Sequence, residues 1–281
     1  MQRRTFVHAL GASIGAAALS RPLAASGSRT RLERIGLELY SVRDAMRRDP
    51  ERTLAAVRRI GYTDVELLWS FGNFGRTTEQ VRASLAAEGL RAPSAHIAPG
   101  ILLTNWEQSL ETAKVLGHDY LIVPSLPEET RHSLDAWRRW ADHFNTAGSA
   151  ARKAGIWLAF HNEPDHMPPI DGVVPYDVFV ERTDPQLVRL QLDVGNMTMG
   201  GGDPMRYLAR HAARYTSFHL KDIAAGGKSD TELGKGTFDL RRFLAAVPDV
   251  NRKPCLVEQE GSADSLASAG VNYNYLKSLE F

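Results

Sequence analysis

The chain of 281 residues contains a single cysteine, Cys255. One thiol excludes an intramolecular disulfide framework and any zinc cluster built from several cysteines. A metal site in this protein must therefore use histidine, aspartate and glutamate side chains.

The sequence also lacks an excess of charge of one sign. Its 34 lysines and arginines nearly balance its 33 aspartates and glutamates, so the formal net charge is +1. Proteins that bind nucleic acid mainly through phosphate contacts are usually far more basic. We therefore expect a globular protein with no nucleic-acid partner.

Long hydrophobic runs are absent beyond the first 27 residues. There, Arg3 and Arg4 precede an apolar run at residues 6–19, and small residues follow at 24–26, which is the pattern of a twin-arginine-type signal peptide. An uncleaved membrane anchor is the alternative, but the run is shorter than the roughly 20 residues that span a bilayer. We expect residues 1–27 to direct export to the periplasm, without stable membrane insertion after processing.

The remaining chain, residues 28–281, alternates between short apolar runs and longer amphipathic stretches. Eight short runs are predicted strands, at residues 36–42, 63–69, 93–97, 120–124, 156–163, 189–193, 216–222 and 255–260. Helical patterns lie between them, at residues 50–60, 78–88, 106–116, 134–154, 177–182, 204–213 and 239–246. Eight strand–helix units in about 250 residues predict a single-domain α/β protein, a (β/α)8 TIM barrel. A doubly wound sheet is the alternative, although no Gly-x-Gly-x-x-Gly follows the first strand.

Polar side chains gather at the carboxyl ends of the predicted strands, where such barrels carry their active sites. They are His96, His161, Glu163, Asp193, His219, Lys221, Glu258 and Glu260. Side chains alternate along a strand, so His161 and Glu163 share one face of strand five. In the same way, His219 and Lys221 share a face of strand seven, and Glu258 and Glu260 share a face of strand eight. Several carboxylates buried at one end of a barrel are costly unless a cation compensates them.

We therefore predict a divalent metal ion with three oxygen ligands and one nitrogen ligand. The predicted ligands are Glu163, Asp193, His219 and Glu258. Mixed ligation of this kind, with positions left open for substrate, suits Mn, Mg, Co or Fe better than a closed tetrahedral Zn site.

Three segments carry a family resemblance: residues 192–196 (Leu-Asp-Val-Gly-Asn), 218–222 (Phe-His-Leu-Lys-Asp) and 233–239 (Leu-Gly-Lys-Gly-Thr-Phe-Asp). Together with residues 36–43 and 257–260, they make nearly the whole mature chain resemble the sugar phosphate isomerase/epimerase superfamily. Its members have a xylose isomerase-like barrel and include ketose 3-epimerases, inosose dehydratase and endonuclease IV. The resemblance implies metal ligands of the order Glu, Asp, His and Glu from strands five to eight, which assigns Asp193 and His219.

The end of strand five departs from the family pattern, and at the end of strand eight two glutamates are candidates for the metal ligand. Relatives often have Glu-Asn-His or His-Asn-His where this chain has His161, Asn162 and Glu163. The resemblance thus leaves two assignments: Glu163 is the ligand, or His161 is the ligand and Glu163 is a base. Strand eight of relatives often reads Val-Glu-Gln-Asp, which implies Glu258 as ligand and Glu260 near the substrate.

The resemblance also implies a group of residues that contact the sugar. The expected contacts are Glu38, Glu66, His96, His161 and Glu260. The alternative for His96 is that it packs at the end of its strand without contacting the sugar. The alternative for Glu260 is that it lies on a loop and faces solvent.

Other polar and aromatic residues near the expected site have two interpretations each. Lys221 either stabilises negative charge that develops during the reaction or neutralises a neighbouring carboxylate. Trp69, Phe71 and Phe74 follow strand two, where aromatic rings either stack on a sugar or pack in the core.

The predicted site and the resemblance imply a metal-dependent sugar isomerase or epimerase that removes a proton next to the carbonyl of a keto sugar. Glu163, Glu258 and Lys221 are the expected catalytic residues. A dehydratase or β-eliminase of inososes or 3-keto-glycosides is an alternative, and a non-catalytic sugar-binding protein on a decayed barrel is another. An endonuclease would need a basic groove, which the sequence does not show. Export favours a free or glycosidic sugar over a sugar phosphate.

Overall fold

A closed barrel of eight parallel strands forms the centre of the molecule. The computed structural model describes residues 30–281, so the predicted signal peptide at 1–27 lies outside the described residues. The strands are β1 (Gly36–Glu38), β2 (Asp64–Leu68), β3 (Arg91–His96), β4 (Tyr120–Val123), β5 (Trp157–His161), β6 (Val188–Asp193), β7 (Tyr215–Leu220) and β8 (Cys255–Val257). Neighbours in the barrel follow chain order, and β1 closes on β8. The predicted (β/α)8 barrel is confirmed.

Helices surround the barrel and connect its strands. They are α1 (Arg43–Arg48), α2 (Pro50–Ile60), α3 (Thr78–Glu88), α4 (Ile101–Thr104), α5 (Trp106–Leu116), α6 (Leu134–Lys153), α7 (Pro175–Arg182), α8 (Val194–Met199), α9 (Pro204–His211), α10 (Leu240–Ala246) and α11 (Ser265–Ser278). Asp49, Thr77 and Asp203 cap α2, α3 and α9 by accepting backbone N–H groups of the first turn. None of the described helices is long and apolar enough to cross a membrane.

Several strands end earlier than the apolar pattern predicts. The fifth strand ends at His161 and the eighth at Val257, while the predictions extend to residues 163 and 260. After β5 the chain enters a short 3-10 turn, Pro164–His166, where proline has no N–H to offer a neighbouring strand. The polar residues that follow these strand ends therefore lie on loops at the mouth of the barrel.

Hydrophobic periodicity does not predict α11, because the buried face of this helix is largely small or polar. Its buried residues are Ser265, Ser268, Ala269, Asn272 and Leu276. The Asn272 side chain accepts from the backbone N–H of Leu233, at 2.7 Å, and donates to Oε1 of Gln259, at 2.9 Å. Helix α11 thus connects the loop after β7 to the loop after β8.

A buried, neutral histidine lies in the loop between α5 and β4. His118 is 5% exposed, its ring lies 5.6 Å from that of Trp69, and its Nδ1 lies 2.6 Å from the carbonyl oxygen of Ala92. Among the described residues, Nε2 has no hydrogen-bond partner. Burial lowers the pKa of His118 from 6.5 to about 4, because a proton on Nε2 would find no acceptor.

We expect His118 to make the protein less stable in acid. The unfolded chain binds a proton at this residue as the pH falls below about 6.5, whereas the folded chain does so only near pH 4, so stability decreases across this window. Asparagine keeps an N–H donor but does not titrate. The stability difference between wild type and His118→Asn should shrink by about 2 kcal/mol between pH 7 and pH 4.5. Urea unfolding at both values, with metal removed from both proteins, measures this; a constant difference would contradict it.

Candidate active site

A crevice of about 450 Å³ opens at the carboxyl end of the barrel strands. This is the end at which (β/α)8 enzymes bind substrate. The crevice is lined by Glu38, Tyr40, Leu68, Ser70, Phe71, His96, Ile97, Ala98, Pro99, Pro124, Ser125, His161, Glu163, Glu258 and Glu260. The list contains six of the residues that the sequence predicts for the site.

Four side chains meet next to the crevice, which His161 and Glu258 line, in an arrangement that can hold a metal ion. They are His161, Asp193, His219 and Glu258, whose ligand atoms all lie within 4.8 Å of one another. His161 and Asp193 are the last residues of β5 and β6, His219 lies one residue before the end of β7, and Glu258 follows β8. Neighbouring strands therefore supply all four. Three of the four predicted ligands, Asp193, His219 and Glu258, are in this group.

Glu163 is the predicted ligand that the structure leaves outside the group. Its Oε1 lies 3.8 Å from Nδ1 of His161, and its Oε2 accepts a hydrogen bond of 3.0 Å from the Asn196 amide. Because β5 ends at His161, Glu163 stands beyond the strand, where alternation no longer fixes its direction. The geometry therefore favours the second assignment that the resemblance leaves, with His161 as ligand and Glu163 beside it.

The state of His161 fits the binding of a cation. Its side chain is 1% exposed, and neither of its ring nitrogens has a hydrogen-bond partner among residues 30–281. Burial lowers its pKa to about 4, so the ring is neutral and a nitrogen lone pair is available. Oδ2 of Asp193 is likewise buried and without a hydrogen bond within the described chain. Orphaned polar atoms of this kind are rare in proteins and call for an explanation.

Negative charge on the carboxylates of the group is costly in a buried place. Burial raises the pKa of Glu258 to about 8, although the positive charge of Lys221 opposes this shift by stabilising the carboxylate. Asp193 is also desolvated, but the neighbouring Lys221 and His161 hold its pKa well below its ordinary value. A divalent ion between these side chains would remove the desolvation penalty, which is a second reason why this donor set fits a metal.

A hydrogen-bonded layer lies beneath the group, deeper in the barrel. Glu66 is fully buried, and its Oε1 lies 2.7 Å from Nε2 of His219 and 2.9 Å from Nε2 of His96. Its Oε2 accepts from the hydroxyl of Ser94 and, at 3.0 Å, from the Gln191 amide. With Nε2 engaged in this way, His219 turns Nδ1 toward Glu258, 2.6 Å away. This is the arrangement in which an outer carboxylate orients a metal-binding histidine.

The position of Glu66 differs from the predicted contact with sugar. Glu66 lies two residues before the end of β2, so it belongs to an inner layer of the barrel and does not line the crevice. The sequence analysis does not predict Ser94 and Gln191 as site residues. Ser94 lies two residues before His96 at the end of β3, and Gln191 lies two residues before Asp193 at the end of β6. Counting two residues back from a strand end identifies inward-facing partners.

Glu38 and His96 also line the crevice. They are the last residues of β1 and β3, and Oε1 of Glu38 lies 3.1 Å from Nδ1 of His96. Burial opposes charge on both, but attraction to its histidine neighbours lowers the pKa of Glu38 and attraction to Glu38 and Glu66 raises that of His96 well above its ordinary value. Glu38, Glu66, His96 and His219 also lie within 4.8 Å of one another, as a charge-paired network.

Lys221 places a positive charge among the carboxylates of the site. It is fully buried, and its Nζ lies 2.7 Å from Glu260, 3.3 Å from Asp193 and 3.4 Å from Glu258. Burial disfavours its charge, but these three carboxylates raise its pKa well above the ordinary value. A Cβ on Gly195 would lie 2.6 Å from Cγ of Lys221, so glycine is needed there for the lysine to reach its partners. Both the catalytic and the charge-balancing interpretations of Lys221 agree with this position.

Fold and site together define a class: a (β/α)8 barrel whose strand ends present a histidine–carboxylate group suited to a divalent metal. A model of the xylose isomerase-like TIM barrel family matches residues 54–279, and the chain belongs to this family.

Known proteins with similar sequence or structure agree with that membership. An inosose dehydratase from Salmonella agona is 33% identical over 121 residues, which cover 43% of this chain and 39% of that relative. A sugar phosphate isomerase/epimerase from Parabacteroides distasonis superposes with a TM-score of 0.76 at 23% identity, over 90% of this chain and 96% of that one. The IolI protein, solved with a bound zinc atom, superposes with a TM-score of 0.68 at 14% identity, over 86% and 95% of the two chains.

Proposed function

We propose that this protein is a divalent-metal-dependent enzyme that removes a proton from the carbon next to the carbonyl of a neutral keto sugar and returns it, as an isomerase or epimerase. The observation that carries the proposal is the convergence of His161, Asp193, His219 and Glu258 beside an accessible carboxylate, Glu163, with the ring nitrogens of His161 and Oδ2 of Asp193 buried and without hydrogen bonds in the described chain.

The proposed metal is held by two imidazoles and two carboxylates. When bound, it would polarise the carbonyl of the sugar and acidify the neighbouring C–H. Two nitrogen ligands suit Mn, Co, Fe or Zn, whereas Mg prefers oxygen ligands throughout. The sequence-based prediction that Zn is disfavoured assumes Glu163 as the ligand from strand five. With His161 as that ligand, the argument against Zn is weaker.

Glu163 is placed to act as the base. Its side chain is 29% exposed and lines the crevice beside His161. Asn196 donates to Oε2 at 3.0 Å and so holds the carboxylate in place, while Oε1 stays available to the substrate. Burial among Glu258 and other acids raises the pKa of Glu163 well above its ordinary value, which strengthens it as a proton acceptor.

Lys221 and Glu260 form a further acid–base pair, and Glu260 is the member that lines the crevice. Glu260 is 42% exposed and lines the crevice, and Nζ of Lys221 holds it at 2.7 Å. The backbone N–H groups of Glu260 and Gly261 donate to the Asp230 carboxylate, which fixes the loop that carries Glu260. The pair can donate a proton to an oxygen of the substrate while Glu163 accepts one from carbon.

The charges of the crevice favour a neutral substrate over a sugar phosphate. Within residues 30–281, no lysine or arginine lines the crevice, and four glutamates do. Arg43 lies at the edge, but its Nη1 and Nη2 donate to the carbonyl oxygens of Tyr40 and Glu260, at 2.8 and 3.1 Å. A phosphate would therefore enter without a cation to bind it. Export, which the N-terminal sequence predicts, would favour the same neutral substrates.

Solvent exchange tests the proposal directly. Protein loaded with Mn²⁺ in deuterated water should exchange the hydrogen next to the carbonyl of a neutral ketose or 3-keto-glycoside, followed by NMR. Glu163→Gln keeps the shape but accepts no proton, so exchange should fall by at least about 10²-fold with bound metal retained.

The exposed Glu181→Gln, whose carboxylate pairs with Arg210 on the surface, is the matched control and should exchange like wild type. Loss of metal from Glu163→Gln would make Glu163 a ligand instead of a base. No exchange by metal-loaded wild type across a broad panel would leave a non-catalytic sugar-binding protein as the better interpretation.

A second candidate is β-elimination, which the pair of Lys221 and Glu260 favours. Glu163 would take the proton from carbon, the freed electrons would form a carbon–carbon double bond, and the bond from the next carbon to oxygen would break. The leaving oxygen would then take a proton from the Lys221–Glu260 pair. The similarity to an inosose dehydratase supports this reaction class. An unsaturated ketone product that absorbs in the ultraviolet would distinguish elimination from exchange alone.

A further inference from the structure

We propose that the crevice contains a second subsite, the aromatic flank, which binds a flat aromatic group attached to the sugar. The flank consists of Tyr40, Leu68, Phe71, Pro99 and Pro124. The inference rests on the proposed function and makes it more specific, because it identifies the substrate class as keto-glycosides with an aromatic aglycone.

The crevice is larger than one sugar ring needs. At about 450 Å³ it falls within the range of roughly 300 to 1,000 Å³ that accommodates ligands of drug size. In the proposed function, the sugar carbonyl lies beside the donor group, next to Glu163 and Glu258. Space therefore remains for a substituent on the sugar.

The lining of the crevice contains two chemically different sets of residues. Four glutamates and two histidines form one set, which suits the hydroxyl groups of a sugar. The other set is the aromatic flank with Ile97 and Ala98, and the remaining polar groups of the lining are few: Ser70, Ser125 and the hydroxyl of Tyr40. A second sugar ring would leave most of its hydroxyl groups without partners there, whereas an aromatic ring has none to satisfy.

The two rings of the flank are held in a fixed arrangement. Tyr40 and Phe71 meet edge to face, with ring centres 5.8 Å apart. The Arg43 guanidinium lies 4.0 Å from the centre of the Tyr40 ring, and that of Arg47 lies 5.2 Å from the Phe71 ring. The arginines and the edge-to-face contact hold both rings in place, and both residues line the crevice, where they can contact an aromatic ligand.

The loop that carries Phe71 adopts an unusual backbone conformation. Asn73 and Phe74 have positive φ angles of 47° and 55°, in the left-handed region that L-residues rarely occupy. Immediately after it, Arg76 pairs with Glu51 of α2 through two hydrogen bonds of 2.6 and 2.7 Å. Strained backbone persists where surrounding contacts fix it, and such positions cluster at ligand sites. Of the three aromatic residues that follow β2, Trp69 packs on His118, whereas Phe71 lines the crevice.

Binding of unreactive glycosides tests the aromatic flank without any turnover. Phenyl and methyl β-glucosides lack the keto group, so their affinities for the Mn²⁺-loaded protein are measured by calorimetry with no reaction. We expect phenyl glucoside to bind at least about 10-fold more tightly than methyl glucoside. Phe71→Ala should remove most of this preference and leave the affinity for methyl glucoside unchanged.

Two further variants separate stacking from general effects on folding. Phe71→Leu keeps an apolar side chain without a flat face and should lose part of the preference. Phe74→Leu is the matched control, because Phe74 is the neighbouring ring of the same loop but does not line the crevice; it should keep the preference. Thermal unfolding checks that each variant is folded.

Three results would overturn the inference. They are equal affinity for the two glucosides, an equal loss of both affinities in Phe71→Ala, and tighter binding of cellobiose than of phenyl glucoside, which would assign the flank to a second sugar. A preference for phenyl glucoside without proton exchange on any keto sugar would support the flank while contradicting the proposed reaction, so the two can fail separately.

Discussion

Asp193→Asn is expected to leave the barrel folded while removing bound metal and slowing proton exchange by at least about 10²-fold. Oδ1 of Asp193 accepts the backbone N–H of Asn196 at 2.7 Å, and an amide oxygen can replace it there. Oδ2 is the buried atom without a hydrogen bond, 3.3 Å from Nζ of Lys221 and 3.7 Å from Nε2 of His161. An amide nitrogen at that position would offer two hydrogens to a place that needs a lone pair.

Metal analysis after dialysis measures this effect independently of activity. Asp177→Asn is the matched control, since Asp177 accepts from the Tyr207 hydroxyl on the outside of the barrel and should bind metal like wild type. Full metal content in Asp193→Asn would contradict the proposed ligand group. The ion would then belong with the deeper network of Glu38, Glu66, His96 and His219.

The sequence predicts most of the site because parallel strands of a barrel end at the same edge. His96, His161 and Asp193 are the last residues of their strands, and the structure brings them together at the mouth. His219 lies one residue before the end of β7 and Lys221 directly follows it, so both also reach the mouth. Strand order and side-chain alternation are sufficient for these residues, because both depend only on regular backbone geometry.

The sequence predicts the position of a side chain less accurately where that position depends on the exact residue at which a strand ends. Glu163 follows the end of β5 and precedes Pro164, so alternation counted from His161 does not set its direction. Glu66 is a different case, since the predicted strand at residues 63–69 and the observed β2 both continue past it, and this interior position puts Glu66 in a buried layer. An error of two residues in a strand end moves a side chain from the crevice into the core or onto a loop.

The family-like segments 218–222 and 233–239 have a structural explanation in one buried carboxylate. Asp222 is 1% exposed, and its oxygens accept the backbone N–H groups of Ile223, Gly234, Gly236 and Phe238, at 2.9 to 3.0 Å. A Cβ on Gly236 would collide with the Asp222 carboxylate, which is why glycine stands there. Asp222 therefore closes the loop between β7 and α10.

Asp222→Ala should cost about 3 to 5 kcal/mol of unfolding free energy, measured by urea denaturation. Four N–H donors would lose their acceptor together, and each buried donor left unpaired costs about 1 to 3 kcal/mol before water reaches the loop. Asp239→Ala is the matched control, because Asp239 caps only the N–H of Arg242 in α10, and loss of a cap costs about 1 kcal/mol. Asp222→Asn, which keeps one acceptor oxygen, should fall between the two. If Asp222→Ala unfolds no more easily than Asp239→Ala, solvent already satisfies these N–H groups and the loop is organised by other contacts, such as those of Asn272 to Leu233.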